Sequence, residues 1–313
     1  MKVFLIKTAQ YTALIALFFI VLLIMPYTPR FKKQLLFAKI DKDILLKTTK
    51  SPRIIFIGGS NLCFGFNSQI FADSLHLNPV NTAVHFGIGI VFMLDNTLKY
   101  VKKGDIIVIA EEYDQYFDDF GYGTLGDNIF IASTVNNPIG FMNLRPIQLY
   151  YSAKYVPNLL FTKLQIRDYT DVERDKNNNN NVYLRSAFNK YGDAIGHYNQ
   201  KNRPFVPRNS FGSKFNYQIM DVLKSFIDSA EKKGAVCYVS FPSLQYKTYL
   251  NCIHQINQVD NEFKKYHLKV LGNPKEFTFG DEYMFDNVYH LDKKGVDIRS
   301  RNLYLELKKK LAN

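Results

Sequence analysis

Three short apolar runs constrain the fold of this chain more than any other feature. They are R-I-I-F-I-G at Arg53–Gly58, D-I-I-V-I-A at Asp105–Ala110, and A-V-C-Y-V-S-F at Ala235–Phe241. Nearly continuous β-type residues without polar alternation are typical of strands that are covered on both faces of a parallel sheet. The runs therefore predict an α/β fold with three α/β/α layers around a central, mainly parallel sheet.

Segments with apolar residues at helical spacing separate these runs, as the crossovers of a parallel sheet require. Two weaker strand signals, at Val80–Val84 and Leu268–Leu271, add to the alternation. The predicted helices cover Asn67–Leu75, Gly87–Val101, Asn216–Lys233, Tyr246–Tyr266 and Lys293–Leu311.

The amino-terminal segment is suited to a membrane. No charged residue lies between Lys7 and Arg30, and the window contains T-A-L-I-A-L-F-F-I-V-L-L-I-M. With its flanks this stretch reaches about 20 residues, the length of a helix that crosses a bilayer. Tyr11 and Tyr27 bracket it, as interface aromatics do, and no small-x-small cleavage site follows. We therefore expect residues 1–29 to be an uncleaved, single-pass transmembrane anchor rather than a cleaved signal peptide.

Positive charge is concentrated near this anchor. Residues 1–50 carry nine Lys or Arg and two Asp, which accounts for +7 of the formal net charge of +12. Few positive charges remain for the rest of the chain, so a nucleic-acid partner is not expected. The distribution indicates a basic juxtamembrane linker at residues 30–50, although a lysine-rich composition explains it equally well. Applied literally, the positive-inside rule places the large domain in the cytoplasm.

Residues 51–313 are expected to form one α/β domain that carries an insertion. Between about 117 and 215 the strand–helix alternation fails, and Tyr, Asn, Gly and Pro are frequent. Long structureless loops are rare in compact domains, so we expect ordered helices in the insertion, for instance around Pro146–Leu164. The run Asn177–Asn181 is interpreted as a solvated loop.

The cysteines indicate neither a metal site nor a disulfide framework. Cys63, Cys237 and Cys252 lack the spacing of metal ligands, and their number is odd. Neither a metal nor another cofactor is therefore expected.

The end of the first predicted strand points to a site. G-G-S-N follows the apolar run, so Ser60 lies at the carboxyl end of a strand, where α/β sheets place their sites. The same residues suit a turn and a helix cap, and a hydroxyl alone does not separate a cap from a nucleophile. A nucleophile needs a base, and His290, with Asp286 four residues earlier, offers a base and its orienting carboxylate on one loop. His85, just before Gly87, is a further candidate to line the site.

Three motifs, in this order, resemble the SGNH/GDSL hydrolase superfamily. They are G-G-S-N after the first strand, N-T-A-V-H-F-G-I-G-I in the second loop and D-N-V-Y-H-L-D-K-K-G before the last helix. With its anchor, the chain is similar to the membrane-tethered SGNH proteins that accompany membrane-bound O-acyltransferases in acylating cell-surface polymers. The resemblance covers residues 53–113 and 216–311, leaves out the insertion, and implies a flavodoxin-like sheet.

The resemblance implies a role for each matching residue. Ser60 would be the nucleophile, His290 its base and Asp286 the carboxylate that orients the base. The backbone N–H groups of Ser60 and of Gly87 or Gly89 would form the oxyanion hole. The residues expected to line the site are Asn61, Glu112, Tyr113 and His85.

Three positions depart from the family pattern. The family often carries Asp three residues before the histidine, where this chain has Asn287. Its third-block Asn, an oxyanion donor, is absent, and the strand runs into Glu111, Glu112 and Tyr113 instead. Gly59 stands where the family usually has Asp. A carboxylate would repel an oxyanion unless it turned away or held a donor, so these departures bear on rate and reaction type.

The implied activity is transfer of an acyl group, usually acetyl, from a serine acyl-enzyme to a polysaccharide. The expected partners are the lipid bilayer, the polysaccharide acceptor and a membrane-bound O-acyltransferase that supplies the acyl group. The implied location is the bacterial cytoplasmic membrane, with the large domain on the periplasmic or cell-surface side, against the literal positive-inside count. Two alternatives share the fold: a carbohydrate esterase or deacetylase that uses water, and a non-catalytic scaffold of a polymer-modification complex.

Overall fold

The computed structural model describes the chain in four stretches: residues 1–127, residue 131, residues 144–170 and residues 182–312. These residues form an α/β fold with a central parallel sheet flanked by helices, as the sequence predicts. The asparagine run at Asn177–Asn181, predicted to be a loop, lies outside the described residues.

The central sheet contains four short strands: β1 (Arg53–Ile57), β2 (Asn78–Asn81), β3 (Ile106–Ile109) and β4 (Val236–Val239). They pair in the order β2-β1-β3-β4, and each pair is parallel. All five residues of β1 are buried, as are three of the four residues in β2 and in β3. The continuous apolar runs of the sequence therefore reflect strands that are covered on both faces.

Helices connect these strands, because each parallel pair needs a crossover that returns the chain to the same edge of the sheet. In the described residues the α-helices are α1 (Lys2–Ile24), α2 (Ala38–Thr48), α3 (Ser60–Cys63), α4 (Gln69–Leu75), α5 (Ile90–Leu98), α6 (Pro146–Ala153), α7 (Val156–Lys163), α8 (Arg167–Thr170), α9 (Tyr217–Lys232), α10 (Tyr246–Asn251), α11 (Ile253–Lys265) and α12 (Lys293–Leu311).

The strong helical patterns are confirmed, and two of the predicted elements need correction. The segment Lys293–Leu311 is helical over its whole predicted length. The predicted helix Tyr246–Tyr266 is instead two helices, α10 and α11, that meet at Cys252. The predicted strand Leu268–Leu271 is reduced to one parallel bridge, in which Val270 pairs with Val239 at the end of β4.

A second, very short parallel pair was not predicted. It joins β5 (Leu244–Gln245) to β6 (Thr278–Phe279). Two residues are too few to show a periodic pattern, so the sequence carries no signal for it. The N–H of Gln245 also donates to the carbonyl of Val288 at 2.9 Å, which ties this pair to the loop before α12.

The segment at residues 30–50 is built into the fold through α2. Leu46 on α2 is fully buried, and Lys39 and Lys42 are almost fully buried. The ammonium of Lys42 donates to the carbonyl of Ala83 and lies 4.3 Å from the centre of the Phe188 ring. Burial lowers the pKa of Lys42 to about 8. Two lysines of the predicted basic linker therefore serve the packing of the domain and add nothing to an exposed basic surface.

The amino-terminal helix α1 is long and apolar enough to cross a membrane. Most of its side chains are exposed, and its buried residue, Leu22, lies near the carboxyl end. There Leu22 packs in a small apolar cluster with Tyr27, Phe37, Leu159 and Leu160, separate from the main core. The helix thus contacts the rest of the fold at the point where it ends.

The described part of the insertion at 117–215 is joined to the α/β domain. Its base is closed by an antiparallel bridge between Phe117 and Phe215. The buried carboxylate of Asp193 accepts hydrogen bonds from Ser68 Oγ at 2.7 Å, from the Ser68 N–H at 2.8 Å and from Asn81 Nδ2 at 2.8 Å. Because Asn81 ends β2, the insertion is anchored on the edge of the sheet.

A buried ion pair joins β1 to the turn before β3. Arg53 and Asp105 are both fully buried, and two hydrogen bonds of 2.9 and 2.6 Å connect the guanidinium and the carboxylate. The same guanidinium donates to the carbonyl of Leu46 on α2, which precedes β1, and to the carbonyl of Tyr100, in the turn after α5. One side chain on β1 therefore satisfies polar groups from three other segments at the amino edge of the sheet.

We expect Arg53→Met to lower the free energy of unfolding by about 3–5 kcal/mol, because the change leaves the Asp105 carboxylate buried without its partner. The matched control is Arg185→Met. Arg185 makes the same bidentate contact with Asp41, but both side chains are about one-third or more exposed, so its loss should cost about 1 kcal/mol or less. Urea unfolding of the full chain in detergent measures both. Equal losses of unfolding free energy in the two variants would show that the buried ion pair stabilises the fold no more than the exposed one.

Candidate active site

Two glycines allow the chain to leave β1 beside the end of β3. A Cβ atom on Gly58 would lie 2.6 Å from the carbonyl oxygen of Ala110. A Cβ atom on Gly59 would lie 2.2 Å from Oε2 of Glu112. Real Cβ contacts are essentially never this short. The close approach of the two strand ends therefore requires a glycine at position 58, and a side chain at position 59 would displace the Glu112 carboxylate.

Ser60 follows these glycines as the first residue of α3, and it is 6% exposed. Its Oγ donates a hydrogen bond of 3.2 Å to Oε1 of Glu112. The same carboxylate oxygen accepts the N–H of Asn61 at 2.8 Å. Glu112, just beyond β3, thus holds both the side chain of the candidate nucleophile and the backbone that follows it.

Arg299 holds the same turn from the opposite side. This arginine lies on α12 and is 1% exposed. Its guanidinium donates to the carbonyl of Asn61 at 2.6 Å and to Asn61 Oδ1 at 2.7 Å, and the Asn61 amide donates to the Ala110 carbonyl at 3.0 Å. Burial lowers the pKa of Arg299 to about 9, against the opposing negative charge of Glu112. Asn61 is therefore a fixed link between α3, β3 and α12.

A second acidic residue lies next to Glu112. The carboxyl group of Glu111 is buried, and neither of its oxygens has a hydrogen-bond partner. Burial, and then the neighbouring charge of Glu112, raise the pKa of Glu111 well above its usual value of 4.5. The burial of Glu111 therefore favours the protonated form of its carboxyl group, against the backbone N–H of Gly59, which favours the ionised form. Tyr113, expected at the site, is buried as well, with its ring stacked 5.2 Å from that of Phe211.

His290 and Asp286 form a hydrogen-bonded pair on the loop before α12. Nδ1 of His290 lies 2.8 Å from Oδ1 of Asp286, although four positions separate the two residues. The ring of His290 is buried and stacks on Phe64, with centroids 4.6 Å apart. Burial alone would raise the pKa of Asp286, but the hydrogen bond and charge of His290, helped by the Tyr183 hydroxyl, lower it.

The tautomer of His290 follows from the groups around its Nδ1. One of them, the Tyr183 hydroxyl at 3.3 Å, donates its hydrogen to Asp286. The amide nitrogen of Asn287 also lies 2.8 Å from Nδ1, and it would need that nitrogen as an acceptor. The carboxylate of Asp286 can only accept, so it needs Nδ1 to carry the proton. A hydrogen bond to an ionised group is about twice as strong as a neutral one, so the carboxylate prevails. Nε2, buried and without a hydrogen-bond partner, is then the basic nitrogen of the ring.

A second histidine–carboxylate pair lies nearby. Nδ1 of His85 lies 2.6 Å from Oδ2 of Asp127. Burial alone would lower the pKa of His85, but the hydrogen bond and charge of Asp127 raise it above the usual 6.5. The N–H of Gly87 is directed at Nδ1 of His85 at 3.3 Å, and the N–H of Gly89 donates to the carbonyl of Phe86 at 3.0 Å. Nδ1 of His85 cannot both donate to Asp127 and accept from Gly87, so of these two backbone donors only the N–H of Gly89 has a settled acceptor within the loop.

Ser60, His85 and His290 line one cleft of about 600 Å³. One wall of this cleft is the segment that directly follows α1. Its other lining residues are Arg30, Lys33, Gln34, Leu35, Leu36, Phe86, Asp127, Tyr183, Leu184, Arg208 and Asn287. Within the described residues, no group of three or more His, Cys, Asp or Glu side chains is placed to hold a metal ion.

The cleft brings together the residues on which the sequence analysis centred. Ser60 and His290 share it, and Asp286 lies behind His290 as its hydrogen-bond partner. The two candidates Asn61 and Glu112 lie directly behind Ser60. Ser60 and His290 are not hydrogen-bonded to each other, because the serine hydroxyl is directed at Glu112 and Nε2 of His290 has no partner.

Three contributors to the site were missed by the sequence analysis. Asp127 and Tyr183 belong to the insertion, where no periodic pattern or motif singles out a residue. Arg299 did leave a signal, because it lies on the stripe of α12 that buries Val296 and Leu303. A cation on such an apolar stripe indicates a buried partner.

Comparison with known proteins adds no assignment. The sequence matches no protein-family profile. It has no significant match among curated proteins either.

We expect Glu111→Gln to make the stability of the protein less dependent on pH. Because the folded state binds a proton on Glu111 that the unfolded chain releases, the free energy of unfolding should fall as pH rises above 4.5, by up to about 1.4 kcal/mol per pH unit. Glutamine keeps the shape and removes this titration. Melting temperatures measured from pH 5 to pH 8 test the slope, with the exposed Glu282→Gln as control. An unchanged slope in Glu111→Gln would contradict a neutral Glu111.

Proposed function

We propose that this protein is a membrane-anchored, SGNH-type acyltransferase that transfers an acyl group, typically acetyl, to a cell-surface or extracellular polysaccharide. The observation that carries the proposal is the cleft in which Ser60 and the Asp286-bound His290 meet beside the segment that follows α1. The proposed architecture is the three-layer, flavodoxin-like one of that superfamily. The domain would lie outside the cytoplasmic membrane of a bacterium.

Serine acyl transfer needs a base, and His290 is suited to this role. With Nδ1–H donated to Asp286, Nε2 can take the proton of Ser60 as Oγ attacks the acyl carbonyl. The imidazolium then returns the proton to the leaving group, and an acyl-serine remains. In the second half, Nε2 takes the proton of a sugar hydroxyl and the sugar oxygen attacks the acyl-serine. The bond from the acyl carbon to Oγ then breaks, and the imidazolium returns the proton to Oγ of Ser60.

The serine must turn before it can react. In the structure Oγ of Ser60 donates to Glu112, whereas Nε2 of His290 is a buried acceptor without a donor. An unsatisfied buried acceptor is costly, so a rotation of Ser60 toward His290 exchanges one hydrogen bond for another. Catalytic hydrogen bonds are often absent until substrate binds. Substrate in the cleft is therefore proposed to select the reactive rotamer.

The oxyanion would be stabilised by the backbone N–H of Ser60. As the first residue of α3, Ser60 has an N–H group without an acceptor inside that helix. Glu112 occupies the place of the family's third-block Asn, which would donate to the oxyanion. Oε1 of Glu112 accepts the N–H of Asn61 instead. One donor fewer than in the family pattern predicts slower chemistry, since a single oxyanion donor is worth about 10²–10³ in rate.

The position of the cleft supports a donor that arrives from the membrane. Residues 33–36 line it and follow α1 within about a dozen residues, so the cleft opens near the end of the proposed span. A membrane-bound O-acyltransferase could present an acyl group there. The burial of Lys39 and Lys42 gives these residues a packing role, which weakens the charge count that favours a cytoplasmic domain.

A second candidate function is a non-catalytic scaffold in a polymer-modification complex. The observation that favours it is the hydrogen bond from Ser60 to Glu112, which directs the hydroxyl away from His290. A third, esterase or deacetylase activity, differs from transfer only in the use of water as the acceptor. An activated acetyl ester separates the three: a burst with slow turnover indicates transfer, steady hydrolysis indicates an esterase, and no reaction indicates a scaffold.

We expect Ser60→Ala to abolish acylation of the polymer in cells while the purified protein keeps its melting temperature within a few degrees. The loss of one oxygen removes the covalent route, whereas the lost hydrogen bond costs only about 1 kcal/mol. The matched control is Ser240→Ala. Ser240 also follows a strand, is buried and donates one hydrogen bond, to the Leu271 carbonyl at 3.0 Å. Its variant should retain acylation.

We expect His290→Ala to lose as much acylation as Ser60→Ala, because nucleophile and base act as one unit. Asp286→Asn should lose less, since the stacking on Phe64 still positions the ring of His290. Acylation is measured beside the melting temperature of each variant. Full acylation in Ser60→Ala would leave Ser60 as a helix cap and overturn the catalytic proposal.

A further inference from the structure

A group of large apolar side chains is exposed on α7 and the turn that follows it. Phe161 is 66% exposed, Ile166 is 79% exposed and Leu164 is 42% exposed. Single exposed apolar residues are ordinary on protein surfaces, but several within six residues are unusual for a surface that faces only water. This group, called here the α7 apolar patch, needs a covering partner.

The patch lies against the end of α1. On the other side of α7, Leu159 and Leu160 pack with Leu22 in the small apolar cluster. Between them and the patch, the ammonium of Lys163 donates to the carbonyls of Leu22 and Leu23, at 3.0 and 2.8 Å. These carbonyls belong to the last turn of α1, where a helix leaves its acceptors unpaired. Phe161 lies two residues before Lys163 and Leu164 one residue after it, so the patch flanks a direct contact with the proposed membrane span.

A salt bridge fixes the following helix to the same place. Asp168 on α8 pairs with Arg30, six residues beyond the end of α1, at 3.1 Å. Asp168 is buried, and residues 145–170 contain no other acidic residue. The exposed charges of this stretch include Lys154 and Arg167, both positive. Within residues 145–170, the combination of apolar and aromatic side chains, flanking cations and no exposed carboxylate is typical of segments that lie in the headgroup region of a bilayer.

We propose that the α7 apolar patch inserts into the membrane interface beside α1 and gives the protein a second, shallow membrane contact. The lipid bilayer is the favoured occupant because the patch is continuous with the end of the helix that can span it. Such a contact would set the orientation of the domain. It would hold the cleft, whose wall is the segment just after α1, at a constant height above the lipid. The proposal rests on α1 crossing a bilayer and is independent of the chemistry of the cleft.

The chain has no tryptophan, so a single introduced indole reports on one position alone. Phe161→Trp and Ile166→Trp are each reconstituted as the full chain in phosphatidylcholine vesicles with and without brominated acyl chains. Phe19→Trp, in the middle of α1, is the positive control. Val236→Trp is the matched surface control, because Val236 is a partly exposed apolar residue at the amino end of β4, the sheet edge opposite Ser60.

We expect bromolipid to quench both patch positions several-fold more than Val236→Trp, with a blue-shifted emission, and nearly as strongly as Phe19→Trp. Quenching at Phe19→Trp without quenching at the patch would overturn the proposal and show that another protein surface, or water, covers the patch. An unquenched Phe19→Trp would remove α1 from the bilayer, and the proposal with it. Adding Ser60→Ala to each probe should leave the quenching unchanged, so the outcome is separate from that of the acylation experiment.

Discussion

The candidate site depends on a close approach between the carboxyl ends of β1 and β3. Gly58 and Gly59 have no side chains, and a Cβ atom on either would collide with the chain beyond β3. This contact places Ser60 at the start of α3 and directs Glu112 against it. Any other residue at position 58 would push β1 away from the Ala110 carbonyl, and any other residue at position 59 would displace the Glu112 carboxylate that accepts from Ser60. Much of the geometry of the site is thus a consequence of backbone packing.

Three buried ionisable side chains surround the contact between the ends of β1 and β3, although close packing of the strands does not require them. Glu111, Glu112 and Arg299 are all buried within a few residues of Ser60, and taking an ion out of water costs several kcal/mol. The chain reduces that cost in two ways. Burial raises the pKa of Glu111, which favours its uncharged form, and Arg299 donates to the backbone and side chain of Asn61. Titratable groups with perturbed pKa values cluster at functional sites, which fits an active role for this turn.

The segment at residues 30–50 links the apolar helix α1 to the site. It supplies Leu35 and Leu36 to the wall of the cleft, and α2 then anchors it to the sheet through Leu46 and Lys42. The segment therefore forms part of the folded domain and also connects α1 to it. A movement of α1 relative to the domain would be transmitted to the cleft wall directly, without passing through the sheet.

Local patterns in the sequence determined the elements, and the tertiary structure decided the contacts among them. The apolar runs at β1, β3 and β4, the helical spacing of α12 and the uncharged amino-terminal segment were readable because burial imposes a period along the chain. Ser60, His290 and Asp286 were readable because motif order marked them. The partners Asp127, Tyr183 and Arg299 were not, since they meet the site only after distant segments fold together. The same holds for the direction of the Ser60 hydroxyl. Whether it donates to Glu112 or to His290 depends on distances between strand ends, and a linear sequence does not encode distance.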